Sequence, residues 1–222
     1  MKPLTRDQIT WRAAQDVEDG MAVNLGIGLP EGVANHIRPG HEVILHSENG
    51  ILGMGRLAGP DEVHPNLINA GKVPITMARG ASIFDQAQSF ALVRGGHIDL
   101  CLLGAFQVAG NGDLANWSRA QEDHLPAIGG AMDLARGARS VWVLMAHNQS
   151  DGTPRIMDRC SYPLTCAGVV QRVYTDLAVI DLTSEGAVVS DMLPGLSREE
   201  LQSRTGLPLK FATNVASLCA PF

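Results

Sequence analysis

Short aliphatic runs of strand length recur along this chain between helix-period segments, and that alternation limits the fold more than any other feature. Glu42-Val43-Ile44-Leu45-His46, Ile98 to Leu103, Val141-Trp142-Val143-Leu144-Met145 and Leu177 to Leu182 all read as strands. The Ile98 run is broken only by Asp99, as in a strand buried on both faces. Met21 to Ile27 reads as a further strand.

The intervening segments carry helix signals. Thr5-Arg6-Asp7-Gln8 is a capping-box pattern, followed by Ile9, Ala13 and Val17 at helical spacing and by Gly20 as a stop. Pro30 suits the first position of a helix running to about Ile37. Phe84 to Arg94 reads as a helix with Phe84, Ala87, Ala91 and Leu92 toward the core and Gly95-Gly96 at its end. Gly129-Gly130 precedes a short helix, Ala131 to Ala135, closed by Gly137. Ser197-Arg198-Glu199-Glu200 opens another that ends near Gly206. Strands alternating with helices predict one α/β domain over residues 1–210 with an open, mainly parallel sheet. Residues 211–222 show no clear pattern and read as a C-terminal tail.

At 222 residues the chain is long enough to bury a sizeable core. It is 45% hydrophobic and 18% charged, which is a globular balance, and 24 glycines favour tight turns. A net charge of −6 without a basic run makes nucleic acid and anionic membranes poor partners. The four cysteines form no CxxC pair and the seven histidines no HxH or HxxxH pair, so no metal site is expected. With no apolar signal segment and no apolar run near membrane-spanning length, the expected setting is cytoplasmic and reducing.

Within this frame the stretch His46-Ser47-Glu48-Asn49-Gly50 stands out. It places a carboxylate just past the carboxyl end of a buried strand, where open α/β sheets form their ligand crevice. Ser47 and Asn49 are positioned to orient Glu48, and Gly50 allows close approach. A serine-hydrolase reading fails, because neighbouring strand residues point to opposite faces and no Gly-x-Ser-x-Gly elbow is present. Asn24-Leu25-Gly26-Ile27-Gly28-Leu29-Pro30 begins like a dinucleotide fingerprint but has Glu31 where the third glycine belongs, so a nucleotide site is rejected. Its glycines still imply a closely approached backbone. Lys72 is either a surface lysine or a functional charge. Gly129-Gly130 is either a turn into the helix or a source of free N–H groups for an oxyanion. Glu48 itself suits a covalent nucleophile attacking an acyl carbon, with Asn24 and a glycine N–H as oxyanion donors.

Six motifs in order then match a known family: Asn24 to Pro30, Ser47-Glu48-Asn49-Gly50, Ile68-Asn69-Ala70-Gly71-Lys72, Arg94-Gly95-Gly96-His97-Ile98-Asp99, Gly112 to Trp117 and Gly129-Gly130-Ala131-Met132-Asp133. From about Leu4 to Lys210 the chain resembles the B (β) subunit of the family I 3-oxoacid CoA-transferases. The resemblance implies a Rossmann-like fold shared with sugar-phosphate isomerases, and Glu48 as a nucleophile that forms a glutamyl-CoA thioester. It implies supporting roles for Asn24, Lys72 and Gly129 around that carboxylate; the residues themselves point to Ser47 and Asn49 as orienting groups and to Gly26, Gly28, Gly50 and Gly130 in loops near the substrates. It implies no cofactor, CoA and acyl-CoA being substrates. A separate A (α) subunit is implied as partner, in a heterodimer or heterotetramer. Leu103 to Val108, Cys160 to Thr165 and Val173 to Asp176 look most like the group that moves CoA from succinyl-CoA to 3-oxoadipate. Ala146 is a departure, since family members often carry an acidic residue there. The alternatives are an acetoacetate or acetate CoA-transferase, an acyl-CoA hydrolase, or a ligand-sensing domain of the same fold.

Overall fold

The computed structural model describes residues 2–119 and 127–221. Helix α1 (Arg6–Ala14) begins as its sequence dictates: Gln8 N–H donates to Thr5 Oγ1 at 3.2 Å and Thr5 N–H to Gln8 Oε1 at 2.9 Å. It closes on Gln15, before the expected stop, and Gly20 instead turns the chain in a left-handed conformation (φ 79°). Strand β1 (Ala22–Leu25) follows, and then a 3-10 turn over Leu29–Asn35 where an α-helix to Ile37 was expected.

Strands β2 (Ile44–Ser47), β3 (Ile51–Leu57) and β4 (Ile75–Ile83) form an antiparallel meander. Helix α2 (Gln86–Arg94) leads to β5 (Leu100–Leu103), and short β6 (Gln107–Ala109) and β7 (Leu114–Ala115) come next. Helix α3 (Ala131–Gly137), β8 (Ser140–Leu144) and β9 (Ile156–Met157) precede a second meander of β10 (Val170–Tyr174), β11 (Ala178–Thr183) and β12 (Gly186–Met192). Helix α4 (Arg198–Ser203) then crosses over to β13 (Leu209–Ser217).

Ten strands form one sheet in the order β13-β12-β11-β10-β8-β5-β1-β2-β3-β4, and β7-β6-β9 form a small second sheet. Five of the nine neighbouring pairs in the large sheet are parallel, including the central run β10-β8-β5-β1-β2. The parallel centre is the one expected. Helices do not alternate with strands throughout, however, because the two meanders connect without α-helices, through turns and, between β3 and β4, a longer loop holding a short 3-10 helix (Pro60–Glu62).

Side-chain alternation along the central strands sorts the core into two faces. Leu100 and Leu102 join Val23, Ile9 and Ala13 on the α1 side, whereas Cys101 and Leu103 join Val93, Leu134 and Val141 on the side of α2 and α3. Two further expectations are corrected. Residues 209–217, read as the end of the domain and the start of a tail, form an edge strand parallel to β12, and Leu218 beyond it is fully buried. In α2 the buried positions are Ser89 and Val93, while Ala87 and Ala91 are exposed. A serine faces inward because it has a polar partner there.

Candidate active site

The carboxyl ends of β1, β2, β5 and β8 share one edge of the sheet, because these strands run parallel. From β1 the chain moves outward on one side through β2, β3 and β4, then returns to β5 on the other side of β1. That reversal is a topological switch point, where open α/β sheets leave a crevice. A cleft of about 550 Å³ lies there. Its walls come from Gly26 and Ile27 after β1, Gly104 to Phe106 after β5, Met145 and Ala146 after β8, and the Gly129-Gly130 segment. Glu48, after β2, is part of the lining.

Glu48 sits in the three-residue turn between β2 and β3, closed by Gly50 N–H donating to the Ser47 carbonyl at 3.0 Å. Gly50 has φ 110°, and a Cβ there would collide with the Phe84 carbonyl, so glycine is required twice over. The Glu48 carboxylate is half-buried, and among the described residues no donor or cation pairs with it. Burial alone pushes its pKa above the usual carboxylate range. One of its oxygens lies 3.2 Å from where a Cβ on Gly130 would stand, so Gly130 bounds the space the carboxylate occupies.

Beneath Glu48 runs a buried polar seam between the sheet and α2. Asn24 Nδ2 donates to His46 Nδ1 at 3.0 Å, which makes Nδ1 the acceptor and leaves the ring proton on Nε2 to donate to Ser89 Oγ at 2.8 Å. The Cys101 thiol donates to Asn24 Oδ1 at 3.3 Å. Burial holds His46 neutral, with its pKa lowered to about 4. Burial, and to a lesser degree the Glu48 charge, pushes the Cys101 thiol up.

The structure redistributes several expected roles. Asn24 is fully buried and its amide is spent on His46 and Cys101, so it supports the strand beneath Glu48 and does not face an oxyanion. Ser47 Oγ accepts from Ala70 N–H at 3.0 Å, and Asn49 Nδ2 donates to the Ile68 carbonyl at 2.8 Å. These two side chains tie down the neighbouring loop and leave Glu48 unorientated by them. Lys72, in that loop, is exposed, adopts a left-handed conformation (φ 63°) and is not in the cleft lining. Glu31, whose presence ruled out a dinucleotide fingerprint, is buried and accepts from Gly28 N–H at 2.8 Å and Asn69 Nδ2 at 2.7 Å. A protein carboxylate therefore holds the turn that a phosphate would otherwise approach. Gly26, Gly129 and Gly130 do line the cleft, whereas Gly28 and Gly50 shape its flanking turns.

Three arginines in the lining, Arg6, Arg119 and Arg155, were not legible in the sequence. Arg119 and Arg155 stand at isolated positions in no motif and Arg6 in the capping box of α1, and only the folded chain brings them together. Among the described residues no group of histidine, cysteine and acidic side chains could hold a metal ion, and no helix is long and apolar enough to cross a membrane.

Residues 6–203 match the family model described as Coenzyme A transferase, so the chain belongs to the coenzyme A transferase family. It is 50% identical over 210 residues to the B subunit of the 3-oxoadipate CoA-transferase of Acinetobacter baylyi, covering 95% of this chain and 97% of that one. It is 44% identical over 200 residues to the B subunit of the succinyl-CoA:3-ketoacid coenzyme A transferase of Helicobacter pylori, covering 90% and 96%. Its fold matches the glutaconate coenzyme A-transferase of Acidaminococcus fermentans with a TM-score of 0.67 at 18% identity, over 99% of this chain and 90% of that one. The acyl-CoA transferase YdiF of Escherichia coli O157:H7 matches with a TM-score of 0.71 at 15% identity, over 96% of this chain but 43% of that longer one.

Proposed function

We propose that this chain is the B subunit of a CoA-transferase that moves CoA from an acyl-CoA to a 3-oxo acid through a glutamyl-CoA thioester on Glu48. The observation that carries the reading is the Glu48 carboxylate itself: half-buried, unpaired among the described residues, and set in a rigid turn at the cleft. A desolvated carboxylate with a raised pKa is a better nucleophile than a solvated one.

In this scheme the Glu48 carboxylate attacks the thioester carbonyl, giving a mixed anhydride and expelling CoA thiolate. The thiolate attacks the glutamyl carbonyl, forming glutamyl-CoA thioester and releasing the first acid. The incoming acid's carboxylate attacks that thioester, giving a second anhydride and CoA thiolate. Attack of the thiolate on the acyl carbonyl releases the new acyl-CoA and regenerates Glu48. The thioester's energy is conserved at each exchange, so the scheme needs no cofactor. Each tetrahedral species needs donors at its oxyanion, and backbone N–H groups of the Gly129-Gly130 segment, which lines the cleft and whose Gly130 bounds the carboxylate, take that role in place of Asn24.

The names of the relatives support succinyl-CoA as donor and 3-oxoadipate as acceptor, with an A subunit as partner. A cytoplasmic setting belongs to the same reading. Ile27, at the cleft and 60% exposed, marks a side that a partner would cover.

The test is peptide mass mapping of the chain co-purified with its A subunit, after adding succinyl-CoA with and without borohydride. The expected result is CoA, or the alcohol left by its reduction, on the Glu48 peptide and its loss in Glu48→Gln. CoA-ester binding with Glu48 unmodified would overturn the reading in favour of a sensor. Release of free acid and CoA without transfer would make the protein a hydrolase.

A further inference from the structure

Among the described residues, the three cleft arginines, Arg6, Arg119 and Arg155, take part in no ion pair. Six of the chain's other arginines do. The Arg155 Nε is buried and makes no hydrogen bond. Such a donor, left unmet inside a cleft, costs stability unless something fills its place. Burial first, and then the nearby positive charge of Arg119, weaken the hold of Arg155 on its proton, with Tyr162 and Asp176 acting in the opposite sense. Two like charges in one cleft therefore repel, and the Asp176 carboxylate nearby forms an ion pair with neither, accepting instead from His147 N–H at 2.7 Å.

The backbone around them is firmly held. Arg155 N–H donates to the His147 carbonyl at 3.2 Å, and its own carbonyl accepts from Val108 N–H at 2.9 Å. The His147 ring is clamped between Thr175 Oγ1 at 3.0 Å and Thr205 Oγ1 at 2.9 Å. The Arg119 guanidinium stacks on Phe106, 4.7 Å from the ring centroid, which occupies its face and leaves its edge donors free. A planar fork with free edges matches the two oxygens of a carboxylate.

We propose that Arg155 and Arg119 bind the remote carboxylate of a dicarboxylic acyl group while its other end reacts at Glu48, and so select diacids over monocarboxylic acids. This deepens the proposed function and rests on it. The two arginines share the cleft with Glu48, so their ligand is anchored near the reacting carbon. The phosphates of CoA lie beyond the long pantetheine arm and do not reach a pocket that holds the thioester carbon. The shared chemistry is an oxyanion, and the experiment separates the two sources.

The experiment uses the complete complex with the A subunit and the variants Arg155→Gln and Arg119→Gln. Acceptor kinetics are measured with 3-oxoadipate and acetoacetate at fixed succinyl-CoA, and donor kinetics with succinyl-CoA and acetoacetyl-CoA. The expected result is a fall of roughly 10–100-fold in the preference for the diacid over the monoacid, carried mainly by KM, as for loss of a charge-assisted pair. An unchanged preference would overturn the proposal, and so would an equal KM rise for both CoA esters, which would assign the arginines to CoA phosphate. If the native complex transfers CoA to no acid, the proposed function fails. Calorimetric titration with succinate and acetate then decides the inference alone: tighter succinate binding that Arg155→Gln abolishes supports it, and equal binding of the two overturns it. Arg119 is exposed, so its variant keeps the test open if the Arg155 variant does not fold.

Discussion

Gly130→Ala tests whether this glycine defines the space of the reactive carboxylate. The backbone at Gly130 is helical (φ −82°, ψ −2°), so alanine fits the conformation and should gain about 0.4–1 kcal/mol through the unfolded state. The new methyl, however, would stand 2.5 Å from Phe90 Cζ, 2.9 Å from Phe90 Cε1 and 3.2 Å from a Glu48 oxygen. Carbon contacts relax near 3.5–4.0 Å, so the ring must retreat by about an ångström. It cannot do so freely, because Arg94 lies 5.6 Å over its face and is held at 2.9 Å by Asp133. Overpacking of this kind costs about 1–3 kcal/mol, which outweighs the gain and leaves roughly 1–2 kcal/mol of destabilisation. That corresponds to a Tm fall of roughly 2–8 °C. The carboxylate shifts by a few tenths of an ångström, and the rate of Glu48 acylation should drop about tenfold or more, toward the ~100-fold that an ångström costs. Gly129→Ala supplies the contrast: its φ is 56°, so alanine is strained by about 1–2 kcal/mol, yet no atom lies within 4 Å of the added Cβ. The assay is quench-flow formation of the CoA adduct on the complex, alongside calorimetric Tm. If Gly130→Ala acylates at the native rate, or if the two variants lose rate equally at matched Tm, the steric argument is wrong.

Other outcomes follow from the same geometry. Glu48→Gln should abolish adduct formation and raise the Tm at neutral pH, because the fold raises the Glu48 pKa by burial and so disfavours the ion; the gain should vanish below the carboxylate range, and a lower Tm at neutral pH would contradict the desolvation argument. His46 and His147 both have pKa values lowered to about 4, so the unfolded chain takes up protons below about pH 6.5 that the fold refuses. Their combined effect is a loss of stability between about pH 6.5 and 4, on the order of 3 kcal/mol per histidine at the limit, and none above that window. Denaturant titrations across pH would read it, and a flat profile would refute it. Leu218→Ala should cost about 2–5 kcal/mol, as for a core leucine, because this residue is fully buried; an effect below ~0.5 kcal/mol would mean that the edge strand is not docked.

The parallel centre of the sheet, the Glu48 turn and the glycine turns around it were legible because each is a local signal: an aliphatic run, a positive φ, a strand end. What the sequence hid depends on pairing at long range. The meanders of β2–β4 and β10–β12 carry no α-helix between strands, and nothing in their local pattern announces that. Strand β13 begins with Leu209 and contains Ala212, Thr213, Asn214 and Ser217, a mixed run typical of an edge, and only its partner β12 makes it a strand. The buried face of α2 was misread because Ser89 looks polar until His46 is placed 2.8 Å from it. The same principle explains Asn24, which reads as a donor for substrate until both ends of its amide are found spent beneath the strand.

The site's rigidity and its reactivity come from opposite treatments of neighbouring residues. Asn24, His46, Ser89 and Cys101 are joined in a neutral seam, and Ser47, Asn49 and Glu31 are each bonded to the loops alongside, so every one of these polar groups near the β2–β3 turn is satisfied. Glu48 is the exception among the described residues. Bringing any of those donors to its carboxylate would stabilise the ion, lower its pKa and blunt it as a nucleophile. Tying them to one another and to the neighbouring loops fixes the turn that carries Glu48 without quieting its charge. Two of the cleft's three arginines, Arg155 beside β9 and Arg119 beyond β7, stand off the β2–β3 turn, where under the proposed function an unpaired guanidinium would serve a substrate anion in preference to the protein's own carboxylate.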